Sequence, residues 1–149
     1  MAKILYSTPG TLTLAIAGDA SSPSLKNLAN NTAVLSNAIA TNRDQYSDWR
    51  LRYRGASMPT AGRQVRGWFI IDPGDMGTYE DGAAGVFPVR QPDLVFAVRA
   101  VATQQIIAVR NVLKPNGAFK ILLLNDTGFA MTNTDDENQL HYSLYSDEV

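Results

Sequence analysis

The clearest secondary-structure signal in this chain is the alternating stretch Trp49-Arg50-Leu51-Arg52-Tyr53-Arg54. Successive side chains of a β-strand point to opposite faces of a sheet, so this stretch separates an apolar face from a face of arginines. On a helix the same residues would be mixed around the axis. The stretch therefore predicts a half-buried strand whose Trp49, Leu51 and Tyr53 side chains enter the core.

Similar patterns lie on both sides of this strand. Residues 11–17 alternate and place Leu12, Leu14 and Ile16 on one face, whereas residues 65–71 form a continuous apolar run typical of a buried strand. Further strands are predicted at residues 94–101, 104–109 and 119–124, and around Leu140, Tyr142 and Leu144. Clusters of Gly, Pro, Asn and Asp separate these runs, and Asn116-Gly117 is a hairpin signal. The chain is therefore predicted to be all-β, an antiparallel β-sandwich or barrel of about eight strands.

One segment, residues 25–40, fits two structures. Leu25, Leu28, Leu35 and Ile39 fall near helical spacing, which allows one short helix there. The pair Asn30-Asn31 in the middle is poor helix material, and residues 34–40 also fit a strand. A strand is the favoured prediction for this segment, and a short helix is the alternative.

Composition limits the possible functions. The chain has 149 residues, 13 Lys+Arg against 14 Asp+Glu, one His and no Cys. This length predicts a single domain over residues 1–149. The absence of cysteine excludes disulfides, thiolate metal sites and a cysteine nucleophile. The near-zero net charge argues against bulk nucleic-acid binding, and no apolar run suits a signal peptide or a membrane span, so folding in the cytoplasm is expected.

Charge is distributed unevenly along the chain. Residues 43–66 hold six arginines, and residues 125–149 hold six acidic residues without a lysine or arginine. The two regions are either separate solvated surfaces or complementary surfaces of neighbouring copies. The candidate protein-contact face consists of five arginines: Arg50, Arg52, Arg54, Arg63 and Arg66.

No arrangement of residues predicts catalysis, a metal or a cofactor. His141, the only histidine, is expected to be an exposed or edge residue on the face opposite Leu140. The acidic loop at residues 72–81 does not match a helix-loop-helix calcium site, and no phosphate-binding glycine loop or nucleophile elbow is present. The arginine row lies near Tyr46, Trp49 and Tyr53, but these aromatics are expected to face away from it, which argues against a stacking groove for nucleic acid.

Several segments together resemble a known class of virion proteins. They are residues 35–42, the strand opening Tyr46-Ser47-Asp48-Trp49, residues 56–62, the Thr78-Tyr79-Glu80-Asp81-Gly82 loop and residues 115–128. In this order they are similar to small head proteins of tailed bacteriophages, in particular capsid decoration (cement) proteins with jelly-roll-like sandwiches. The resemblance covers most of the chain, and its motifs are turns and strands.

The resemblance implies a non-enzymatic, cofactor-free structural protein of the virion. Such proteins lie on the outer capsid surface, bind the major capsid protein where its subunits meet, often as homotrimers, and are assembled in the host cytoplasm. The alternatives are a tail or baseplate component and a carbohydrate-binding sandwich, for which Tyr79, Phe87 and Tyr145 are the available aromatics. A hydrolase with dispersed carboxylates is a third reading.

Overall fold

The computed structural model describes residues 12–40, 44–71 and 87–146, and the backbone of residues 5–6 and 147–148. Their secondary structure consists of β-strands and connecting loops. The strands are β1 Leu5–Tyr6, β2 Thr13–Ile16, β3 Thr32–Leu35, β4 Tyr46–Tyr53, β5 Gln64–Ile71, β6 Leu94–Ala97, β7 Gln105–Leu113, β8 Phe119–Asp126, β9 Gln139–Tyr145 and β10 Asp147–Glu148. No helix within these ranges is long and apolar enough to cross a membrane.

Eight of the strands form two antiparallel four-stranded sheets. Sheet 1 has the order β2-β9-β4-β7 and sheet 2 the order β3-β8-β5-β6, while β1 pairs with β10. This is the strand order of a jelly roll, in which most connections cross from one sheet to the other. The predicted all-β sandwich of about eight strands is confirmed. Residues 25–40 contain strand β3 and no helix, which settles the ambiguity of that segment.

The core lies between the two sheets and is centred on Trp49. Trp49, Leu51 and Tyr53 are completely buried, as their alternation with the arginines predicts. The Trp49 ring lies 5.7 Å from the ring of Phe69 and 6.5 Å from that of Phe119, both in sheet 2. Its Nε1 donates a hydrogen bond of 2.8 Å to Ser47 Oγ, so the indole is both packed across the sheets and satisfied.

Strand β2 departs from the alternation that its sequence predicts. Leu14 pairs with His141 and Ile16 with Leu140, so β2 has one extra residue at a β-bulge between them. Ile16 is buried, but Leu12 and Leu14 are 43% and 46% exposed. The prediction that all three share one face is wrong, because the extra residue at the bulge turns Ile16 to the face opposite Leu12 and Leu14.

The turn at residues 114–117 also differs from the prediction. Gly117 has the positive φ of 92° that suits an Asn-Gly turn, but the turn joins β7 of sheet 1 to β8 of sheet 2. It is therefore a crossing between layers and not a hairpin, since hairpin strands pair with each other.

Strand β7 is an edge of sheet 1 and contains a second bulge. Ser47 pairs with Val112 and Trp49 with Val109, so Asp48 faces two residues of β7, Arg110 and Asn111. Asn111 has a positive φ of 57°, and its N–H donates to Asp48 Oδ1 at 2.9 Å. The carboxylate thus stabilises the irregular backbone of the bulge.

We expect Gly128→Ala to destabilise the fold by about 2–3 kcal/mol, of which roughly 1–2 kcal/mol is left-handed backbone strain. Gly128 has a φ of 94°, and a Cβ there would lie 2.6 Å from Thr60 Oγ1. Gly117→Ala is the matched control, because its φ of 92° is similar and no atom lies within 4 Å of its Cβ position. Urea unfolding should give a larger loss for Gly128→Ala, and equal losses would show that Thr60 does not resist the new methyl group.

Candidate protein-contact face

Two of the predicted arginines lie on the outer face of sheet 1. Because Trp49, Leu51 and Tyr53 point into the core, the alternation along β4 turns Asp48, Arg50 and Arg52 outward. The predicted separation of arginines from core aromatics is thus confirmed for Arg50 and Arg52. Arg54 follows the last residue of β4.

The register of sheet 1 brings outward residues of four strands together. His141 of β9 pairs with Arg50 on one side and with Leu14 of β2 on the other. Ala108 of β7 pairs with Arg50 and completes this row across the sheet. In the next row Arg52 pairs with both Gln139 of β9 and Ile106 of β7. Side chains paired in this way lie about 5 Å apart at their Cβ atoms.

A shallow depression of about 200 Å³ lies between these two rows. It is lined by Leu12, Arg50, Arg52, Ile106, Gln139 and His141. Leu12 precedes β2 and Ile106 lies on β7, the two edge strands of sheet 1, so apolar side chains flank the polar centre. Ile106 is 69% exposed, which makes this face both apolar and cationic.

The polar groups of the depression differ in their bonding. Arg52 Nη1 donates to the main-chain oxygen of Asp136 at 3.2 Å. Arg50 is exposed and forms no ion pair with the described residues. Burial lowers the pKa of His141 below its ordinary value of 6.5, and the positive charge of Arg52 lowers it further. The neutral form of His141 is therefore favoured at pH 7, and Arg50 supplies a positive charge that no described carboxylate pairs with.

The five candidate arginines do not lie on one surface. Arg54 forms an ion pair with Glu137 beside sheet 1. Arg63 and Arg66 belong to the region of β5 in sheet 2, where both pair with Asp126 of β8, Arg63 at 3.0 Å. The structure thus brings Arg50 and Arg52 together and separates them from Arg63 and Arg66. Their contact with a partner stays a prediction.

Part of the acidic C-terminal region pairs with basic residues of the same chain. Asp126 and Glu137 form ion pairs with the arginines named above, and Asp135 Oδ1 lies 2.6 Å from Lys26 Nζ. These three carboxylates therefore form ion pairs within the chain. Neither hypothesis for the uneven charge, separate solvated surfaces or complementary surfaces of neighbouring copies, included such pairs. The partly exposed pairs of Lys26 and Arg54 contribute little stability, typically about 0–1 kcal/mol each, whereas Asp126 is buried.

The residues considered from the sequence for metal or carbohydrate binding do not form such a site among the described residues. No group of three His, Cys, Asp or Glu that could hold a metal ion occurs among the described residues. The acidic loop at residues 72–81, including Tyr79, lies outside them. Tyr145 is only 8% exposed and stacks on Tyr46, so it does not offer a free aromatic surface for a sugar. Phe87 is 38% exposed and packs against Trp68.

Tyr46 corrects one detail of the nucleic-acid argument. Trp49 and Tyr53 face away from the arginines, as predicted, but Tyr46 lies two residues before Asp48 on the outward side of β4. Its ring centroid is 5.8 Å from that of Tyr145, in a stacked arrangement. The Tyr46 ring is therefore already stacked on a residue of its own sheet and does not offer that face to a nucleic-acid base.

A second depression, about 370 Å³, lies where β5 and β7 end. Its arginine, Arg90, bonds Asp93 at 2.7 Å and the main-chain oxygen of Phe69 at 2.6 Å. Burial lowers the pKa of Lys114 at its edge, and Asp44 partly offsets this effect. Lys114 Nζ donates to the Pro115 main-chain oxygen at 3.3 Å. The hydrogen bonds of Arg90 and Lys114 are thus made within the fold, so this depression is interpreted as structural.

Three residues that line the first depression could not be predicted from the sequence. Leu12 was expected to share one face with Leu14 and Ile16, and Gln139 and Ile106 had no distinguishing pattern. They become neighbours of Arg52 only through strand register, which is a property of the folded sheet. The chain matches no protein-family model, and no curated protein or solved structure is significantly similar to it.

Proposed function

We propose that this chain is a structural virion protein of a tailed phage that decorates the outer capsid surface. In this proposal it binds the major capsid protein as a homotrimer, assembled in the host cytoplasm, and bridges neighbouring capsid subunits. The resemblance of the sequence to decoration proteins and the jelly-roll order of the strands support it. The function requires neither catalysis nor a cofactor.

The observation that carries the proposal is the outer face of sheet 1. Leu12, Leu14 and Ile106 are exposed there around Arg50, which has no ion-pair partner among the described residues. Exposed apolar side chains grouped with arginine are typical of protein interfaces. A sheet face backed by a packed core holds the backbone of these residues in place, which limits the loss of conformational freedom on binding.

Symmetry explains how a modest face can bind firmly. A trimer presents the same face three times, and each contact after the first forms at a high effective concentration. Closed symmetry also matches the symmetric arrangement of subunits on a capsid. A small interface on each protomer is then sufficient to link neighbouring subunits.

We expect the protein to cosediment with empty capsids of its phage at micromolar concentration and to behave as a trimer in light scattering. The double variant Arg50→Glu/Arg52→Glu should bind at least about tenfold more weakly, because it reverses the charge of the contact face. Arg99→Glu is the control, since Arg99 is exposed outside the strands of sheet 1. Absence of wild-type binding would contradict the function, and equal loss in both variants would contradict the assignment of the face.

A further inference from the structure

We propose that the depression on the outer face of sheet 1 binds a carboxylate side chain from an acidic, leucine-containing segment of the partner protein. The proposal rests on the proposed function, because it names the chemistry of the partner surface that this face contacts. Arg50, Arg52 and His141 supply the polar centre of the site, and Leu12 and Ile106 supply its apolar flanks.

Hydrogen-bond donors converge in the depression. Arg50 and His141 are register partners on adjacent strands, and Arg52 is the next outward residue along β4. A guanidinium group presents a planar fork of N–H donors that matches the two oxygens of a carboxylate. Two such forks beside an imidazole favour a carboxylate over a neutral amide.

Among the residues that the structure describes, no carboxylate forms an ion pair with Arg50 or Arg52. Five other basic residues have carboxylate partners in the same chain: Lys26, Arg54, Arg63, Arg66 and Arg90. The acidic residues of the region bond elsewhere. Asp48 Oδ1 accepts the Asn111 N–H and the Tyr145 hydroxyl, and Asp136 Oδ1 accepts the Gln139 amide at 2.8 Å. An external carboxylate is thus the complementary group for Arg50.

The apolar flanks favour a peptide over a free anion or an acidic sugar. Leu12 is 43% and Ile106 is 69% exposed, at opposite edges of sheet 1. A peptide can place its carboxylate on the arginines and bury apolar side chains against both edges, which adds roughly 25 cal/mol for each Å² of apolar surface removed from water. A small anion gains only the charged contacts.

His141 adds a pH dependence to the site. Its register partners are Arg50 of β4 and Leu14 of β2, and Gln139 and Ser143 are the adjacent outward residues on β9; Arg52 also acts on it electrostatically. Asp48, the register partner of Ser143, is the acidic group diagonal to His141. Burial and the positive charge of Arg52 lower the pKa of His141, which favours the neutral imidazole at pH 7. A bound carboxylate favours the protonated imidazole and raises the pKa of His141. Affinity should therefore increase as the pH falls towards 5.5, while a glutamate ligand of pKa about 4.3 stays ionised.

The test is an NMR titration of the purified protein with a blocked peptide that contains two adjacent glutamates between leucines. Because the chain has one histidine, its Cε1–H resonance is unambiguous in untagged protein. We expect saturable shifts confined to the outer face of sheet 1 and an upward shift of the pKa of His141. Arg50→Gln/Arg52→Gln should weaken binding about tenfold, as expected for loss of charged hydrogen bonds, whereas Arg99→Gln should not. His141→Gln should retain binding at pH 7.5 and lose the gain at pH 5.5.

Three results of the peptide titration would overturn the proposal, and a fourth comes from a sugar control. The three are an equal response to the peptide with glutamines in place of glutamates, shifts spread evenly over all exposed arginines, and unchanged binding by Arg50→Gln/Arg52→Gln. Binding of N-acetylneuraminic acid without binding of the peptide would also overturn it in favour of an acidic sugar. The titration contains no capsid, so its failure is distinguishable from failure of the cosedimentation experiment.

Discussion

Trp49→Ala is expected to lower the free energy of unfolding by about 4 kcal/mol, within the range for removal of a large aromatic core side chain. Trp49 is completely buried and packs on Phe69, Phe119 and Tyr142. Its loss would leave a cavity between the two sheets and remove the hydrogen bond that Ser47 Oγ accepts, although the Ser47 hydroxyl would still donate to the Val112 main-chain oxygen. This is a large fraction of the stability of an ordinary domain.

Urea unfolding would measure the effect of Trp49→Ala, with Trp68 as the remaining fluorophore among the two tryptophans. Trp49→Phe should lower the free energy of unfolding by less, because the smaller ring keeps part of the packing. Phe129→Ala is the control for a partly exposed aromatic, at 41% exposure, and should change stability much less. A similar loss for Trp49→Ala and Phe129→Ala would show that Trp49 is not the centre of the core.

Asn125→Ala is expected to destabilise the protein by about 3 kcal/mol, because it removes several buried hydrogen bonds at once. Asn125 is completely buried, and its Nδ2 donates to the main-chain oxygens of Leu28 and Phe129, each at 2.9 Å. Its Oδ1 accepts the Thr127 hydroxyl at 2.7 Å. The amide therefore joins the loop after β8 to the loop before β3.

Asn30→Ala provides the matched control for Asn125→Ala. Asn30 Oδ1 accepts a hydrogen bond from the Gly128 N–H at 2.9 Å, and the residue is only half-buried. Its loss should cost about 1 kcal/mol or less. Thermal unfolding of both variants would rank them, and an Asn125→Ala variant as stable as Asn30→Ala would contradict the network.

The strands themselves could be predicted from the sequence because burial leaves a period of two. Trp49, Leu51 and Tyr53 show it clearly, and their complete burial follows. The bulge before Ile16 could not be predicted, because an extra residue in a strand leaves no compositional mark at Ala15. As a result Leu12 and Leu14 were predicted to share a face with Ile16, and the apolar part of the outer face of sheet 1 was missed.

The contact face was predicted only in part because neighbours in sequence are not neighbours in a jelly roll. Arg52 and Arg63 lie close in the sequence, but β4 and β5 belong to different sheets. The local alternation of β4 is sufficient to place Arg50 and Arg52 on one face. Their proximity to His141 depends on long-range register, which a single sequence does not encode in a readable pattern.

The bulge in β7 has a consequence for solubility. An edge strand of nine residues with exposed Ile106 and Leu113 would otherwise be a template for the strands of other molecules and for fibril growth. The kink at Asn111 and the charge of Arg110 interrupt that template after its first five or so residues. The irregular backbone thus works against open-ended aggregation, while the face beside it stays available for specific binding.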